Sequence, residues 1–223
     1  MRSIMESKRS FCILSGLSGV FGVLCLAGSF AINNGPPPGA TATELARFAQ
    51  QNFDKVMWGA WLQAVGPVLI VLFAFSLVRL AGATQQLAGW MTFFGASILM
   101  TVSLIEITFY IGALYPESAV MPGVSLNLIS AVQHLYFMVA APAFFFPLGT
   151  ILIRSRILPK LFGYLALALA ATFAVLAGVF LLHLALPNAV TGFAGVQAVW
   201  WLAAAITLAV RSGKISTESP VHA

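Results

Sequence analysis

Six apolar runs occupy almost all of this 223-residue chain, each close to or beyond the length needed to cross a bilayer. They fall at about 11–32, 57–79, 87–115, 124–153, 161–186 and 190–210. A helical crossing of a hydrocarbon core about 30 Å thick needs roughly 20 apolar residues. Inside lipid every backbone polar group must be bonded internally, so runs of this length must be helical. The chain is 60% hydrophobic and 8% charged, with mean hydropathy +0.97. A soluble domain carries about 25% charged residues. The expected fold is all-α, a polytopic transmembrane bundle of six helices filling one membrane domain over residues 11–212. Residues 1–10 form a cytoplasmic N-terminus, and 213–223 read as a polar, disordered cytoplasmic tail.

Charge sets the expected orientation. Arg2, Lys8, Arg9, Arg79, Arg154, Arg156, Lys160, Arg211 and Lys214 all fall on one side of six crossings, and only Arg47 and Lys55 on the other. The positive-inside rule then puts both termini in the cytoplasm of a plasma membrane. The pI near 9.6 is therefore topogenic. Clustered basic residues with interleaved aromatics, the mark of a nucleic-acid surface, are missing, so nucleic acid is not an expected partner. The first run is longer than the 7–15 residues of a signal-peptide core, so it is expected to be retained. Gly16, Gly19 and Gly22 on that run predict close approach of a neighbouring helix. Cys12 and Cys25 lie about 20 Å apart on one helix and cannot pair within the chain. The sequence carries no spacing typical of a metal site.

The longest outer connection runs from Asn33 to Val56 and opens with three prolines flanked by glycines. Thr41 and Glu44 have capping-box spacing. Leu45, Phe48, Phe53 and Val56 then share one face opposite Arg47, Gln50 and Asp54, which predicts a short amphipathic outer helix before span two. It could act as an interfacial anchor or as a lid over a pocket. Pro67, Pro142 and Pro147 predict kinks, with carbonyls freed one turn earlier that need other partners.

The polar residues inside the spans are one-sided. Glu106 and His134 are each expected about 13–15 Å below the outer boundary, on antiparallel neighbours. Glu106 shares a stripe with Ser103 and Tyr110, and His134 shares one with Asn127 and Ser130. Gln63, Gln197 and His183 are placed shallower, within about 6–9 Å of that boundary. Trp58, Trp61, Trp200 and Trp201 fall near the same level and read as an aromatic belt or a cage. The inner half offers only Ser, Thr, Cys and a Tyr, which can bond to their own helix. An ionisable group in lipid costs at least a few kcal/mol, so Glu106 should face the interior or a wet cavity. A Glu106–His134 contact is then either a structural hydrogen bond or part of a site.

Three segments carry a resemblance: Trp58-Gly59-Ala60-Trp61-Leu62-Gln63, Leu104-Ile105-Glu106, and residues 156–164, Arg-Ile-Leu-Pro-Lys-Leu-Phe-Gly-Tyr. With them the chain resembles a broad group of uncharacterised bacterial six-span integral membrane proteins, a domain of unknown function. The resemblance implies a helical bundle in a bacterial plasma membrane and no reaction.

Three function classes follow. The first is binding of a small-molecule or lipid ligand in an outward-facing pocket lined by Glu106, His134, Tyr110, Ser130, Asn127, Gln63, Gln197, His183 and Trp61. The second is a proton-linked transporter, weakened by the missing polar residues of the inner half. The third, a metal or haem enzyme, is disfavoured because His134 and His183 differ by about 9 Å in depth. An accessory subunit or homo-oligomer with the Glu106–His134 pair as structural glue stands beside them, and the cofactor is unknown.

Overall fold

The computed structural model describes residues 2–33, 40–114, 121–181 and 187–218. Among them the chain forms eight α-helices and one π-helical turn, with no strand. The elements are α1 (Arg2–Ile32), α2 (Ala42–Leu80), α3 (Leu87–Gly112), α4 (Met121–Leu135), the π turn (Tyr136–Ala140), α5 (Ala141–Arg154), α6 (Lys160–Leu181), α7 (Pro187–Val210) and α8 (Ser212–Glu218). Five stretches are long and apolar enough to cross a membrane: Glu6–Ile32, Thr43–Leu80, Leu87–Gly112, Asn127–Arg154 and Lys160–Val179. The apolar part of α7, Gly195–Val210, is shorter. Leu14, Phe21, Leu72, Phe94, Phe146 and Val175 on the outside are each more than half exposed. An apolar exterior of this extent fits acyl chains, not water. The chain is a multi-pass helical membrane protein.

α1 packs along α2 and α7; α3 lies between α2 and the α4–α5 helix; α6 lies against α5. Small residues set these crossings. A Cβ on Gly22 would sit 3.0 Å from the Gly66 carbonyl oxygen, and one on Gly16 would sit 2.7 Å from that of Ala205. The glycine face of α1 is therefore a seam against α2 and α7. Lipid supplies little hydrophobic drive between helices, so this close van der Waals packing carries their association. Alternation of the helices brings Arg79, Arg154, Lys160 and Arg211 to one end of the bundle, the basic end. There the Arg79 guanidinium stacks over Phe11 at 5.2 Å from the ring centroid.

Three differences from the sequence expectations matter for the site. First, no separate outer helix precedes span two: α2 is one helix of 39 residues. Thr41 caps it, with the full capping box to Glu44. Its length is about 58 Å, almost twice the hydrocarbon thickness, so its first turns project past the bilayer. The projecting turns bury Ala49 and Val56 against Leu114 of the α3 end, with Phe48, Phe53, Met57 and Tyr110 around them. At the other end Gly82, at φ 67°, closes the helix, and the Ala83 N–H bonds the Val78 carbonyl.

Second, Trp200 and Trp201 are 4% and 1% exposed, so they belong to no aromatic belt. Trp201 packs against Phe73, Phe144 and Phe145 at centroid separations of 5.9, 5.3 and 5.6 Å. Trp200 packs on Phe145, and its indole N–H donates to the Phe162 carbonyl at 3.0 Å. With Phe173 these rings fill a layer about 10–20 Å from the basic end. Third, residues 212–218 are helical, with Ile215 buried and α8 packed on α1, where an irregular tail was expected. The Arg211 carbonyl accepts from the N–H groups of Lys214 and Ile215, which starts that turn. Residues 219–223 lie outside the described residues.

Candidate functional site

The polar layer is built by prolines, a long helix and a π turn. Pro67 has no N–H, so the carbonyl of Gln63, four residues earlier, loses its helical donor. Ser103 of α3 supplies one: its hydroxyl lies 3.4 Å from that oxygen. The Gln63 side chain, 4% exposed, reaches the same helix, and its Nε2 donates to Glu106 Oε2 at 2.9 Å. From α4, Gln133 Nε2 donates to Glu106 Oε1 at 2.7 Å. The carboxylate of α3 is thus held at both oxygens by neutral amides from two other helices. Ser29 of α1 extends the network, with its hydroxyl 3.5 Å from Gln63 Oε1.

These groups share one level. Counted along their helices, Gln63, Glu106 and Gln133 lie about 25, 28 and 31 Å from the basic end. The sequence reading placed Gln63 shallower than Glu106 because it started span two near Met57. The outward extension of α2 removes that boundary. Tyr110, one turn beyond Glu106, joins Met57 and Phe53 in the apolar cluster above the network. Gln63 faces the interior while Gln133 is exposed, so the carboxylate opens sideways, along the α3–α4 edge.

The α4 partner at this carboxylate is Gln133, the neighbour of the expected His134. Pro142 explains the difference. Its ring cannot sit under the Met138 carbonyl of a regular helix, and the chain relaxes into a π turn in which the Ala141 N–H bonds Tyr136 O. Beyond the turn the buried face is Ala140, Ala141, Phe144, Phe145 and Leu148. Traced back at 3.6 residues per turn, that face passes between Gln133 and His134. The extra residue of the π turn moves it instead to Val132, Ile129 and Ser125, all buried. Gln133 is left on the flank where its amide reaches Glu106, and His134 and Asn127 are exposed as well.

Below this layer the phenol of Tyr136, in the π turn, donates to Gln197 Oε1 of α7. Tyr136 also meets Phe173 edge-on at 5.9 Å, so the pair joins the polar layer to the aromatic one. Gln197 is about 15 Å inside α7, deeper than expected, because that helix begins at Pro187. Tyr136→Phe is expected to cost about 1 kcal/mol, the usual size of an interhelical hydrogen bond in a membrane. Thermal unfolding of the purified variant measures it.

The sequence reading missed Gln133, Tyr136 and Ser29. Gln133 was legible as one of few amides within the spans, and Pro142, nine residues later, was the signal that the register around it would slip. Trp61 and Trp58 are 55% and 63% exposed and meet edge-on at 6.0 Å, near the far end of the bundle. Ser130 and His183 lie outside the residues whose side chains are described. Among the described residues no three His, Cys, Asp or Glu side chains are grouped to hold a metal. Comparison with protein-family models, curated proteins and solved structures returns no match.

Proposed function

We propose that this chain is a six-span protein of the bacterial plasma membrane, both termini cytoplasmic, that binds a small amphipathic ligand at Glu106 in the outer half of its bundle. α7, 24 residues long, serves as the sixth crossing. The basic end is the cytoplasmic one by the positive-inside rule. One observation carries the binding assignment: an intramembrane carboxylate has both oxygens engaged by neutral amides, one of them at an exposed edge. The amides orient the carboxylate but do not cancel its charge. In a medium of low dielectric an unmatched charge is costly, so the group is suited to a ligand that brings an ammonium or another strong N–H donor. The apolar part of such a ligand would lie along Ile105 and Leu128, which are exposed beside the opening. His134 stays in this proposal as a residue of the exposed edge, not as the partner of Glu106.

The test compares alkylamines with alcohols of the same chain length in thermal unfolding of the purified protein. At about 100 times its Kd, a ligand of the folded state adds about 2.7 kcal/mol of stability. The amine should stabilise and the alcohol should not, and Glu106→Gln should abolish the difference. Equal effects of amine and alcohol, or an amine effect that survives Glu106→Gln, would reject the reading and favour a purely structural clamp. Proton-linked transport ranks second. Its path would have to cross the layer of Phe73, Phe144, Phe145, Phe173, Trp200 and Trp201, which presents packed rings to a polar solute.

A further inference from the structure

A second place for a ligand lies outside the Glu106 network. A cavity of about 440 Å³ opens between the end of α1 and the projecting part of α2, lined by Ala31, Ile32, Asp54, Lys55 and Trp58. Its volume is in the range of small-ligand sites, about 300–1,000 Å³. Its level is set by α2: Trp58 and Asp54 lie about 33 and 39 Å from the basic end, about 5 and 10 Å further out than Glu106. That is the headgroup zone, and exposed Trp58 and Trp61 are the side chains that favour it. The lining carries one carboxylate and one ammonium on consecutive residues, with apolar walls from α1 below them.

We propose that this cavity holds the zwitterionic headgroup of a phospholipid, phosphatidylethanolamine, from the leaflet at that end of the bundle. The Lys55 ammonium donates to the lipid phosphate, and the lipid ammonium donates to the Asp54 carboxylate, with Trp58 beside it. The acyl chains run down past Ala31 and Ile32 along α1. Charge complementarity selects this lipid over an anionic one: Lys55 alone would serve any phosphate, whereas Asp54 has no match in a headgroup without a cation and repels its charge. The assignment does not depend on a ligand at Glu106.

Native mass spectrometry of the full-length protein tests it, with equimolar phosphatidylethanolamine and phosphatidylglycerol of identical acyl chains. An exposed ion pair contributes up to about 1 kcal/mol, so the expected preference for phosphatidylethanolamine is about three- to five-fold. Asp54→Asn should erase that preference, and Lys55→Gln should weaken both lipids. Arg47→Gln, an exposed charge two turns further out and not in the lining, should leave the preference intact. All three sites are exposed surface charges, and unchanged thermal midpoints show that the variants fold. Equal binding of the two lipids, preference for phosphatidylglycerol, or loss of the preference in Arg47→Gln would each overturn the assignment.

Discussion

Replacing Trp201 by alanine is expected to destabilise the protein by about 3–5 kcal/mol, the usual cost of removing a large aromatic ring from a packed core. Trp201 is 1% exposed and lies among Phe73, Phe144, Phe145 and Trp200, so the contact of three helices, α2, α5 and α7, passes through or beside one indole. α2, α5 and α7 cannot all close over the gap, because their backbones are already held by small-residue crossings elsewhere. Its indole nitrogen has no hydrogen-bond partner among the described residues. Trp201→Phe should therefore be much milder than Trp201→Ala, since it keeps most of the ring contacts and removes an unpaired donor. Unfolding midpoints of the two variants, in the same detergent, make the comparison. If both cost the same, the nitrogen rather than the packing is what matters there.

Gly95→Ala is the second large effect. A Cβ at Gly95 would lie 2.6 Å from the carbonyl carbon and oxygen of Ala143 and from the Phe144 nitrogen. All three are backbone atoms of α5, so no side chain can rotate away. α3 and α5 would have to separate just where Phe144 enters the aromatic layer. Overpacking of this kind costs about 1–3 kcal/mol. Gly178→Ala in α6 is the internal control, because a Cβ there meets nothing within 4 Å. It should be neutral or slightly stabilising, since alanine is the better helix former by about 1 kcal/mol. A neutral Gly95→Ala would mean that α3 and α5 do not cross at that point. The same variant should also disturb amine binding, because Gly95 lies on the helix that carries Glu106.

The Glu106 and Trp201 layers divide the bundle into two halves of different character. The half nearer the basic end is sealed by rings and by glycine crossings. The other half carries hydrogen bonds between helices, from Ser29 through Gln63 and Glu106 to Gln133. Hydrogen bonds can exchange partners at small cost, whereas a close-packed core resists rearrangement. A ligand at Glu106 would thus act on the adaptable half.

Helicity and the membrane environment were legible in the sequence, because a long apolar run in lipid has no alternative way to satisfy its backbone. The glycine face of α1 and the cap at Thr41 were legible for the same local reason: small side chains and a hydroxyl followed by Glu44 act within a turn or two. Glu106 stood out as a costly charge wherever its helix went. Its partners did not. Which amide reached it depended on how far α2 continued past Met57, on the carbonyl freed by Pro67, and on a π turn that set Gln133 on the flank facing Glu106. Likewise Trp200 and Trp201 look like belt residues in one dimension and become core only when α5 and α6 pack against α7. Residue depth and helix face follow from the accumulated length and twist of each helix, and a single inserted residue changes both. That sum is settled by packing between helices, which only the tertiary structure contains.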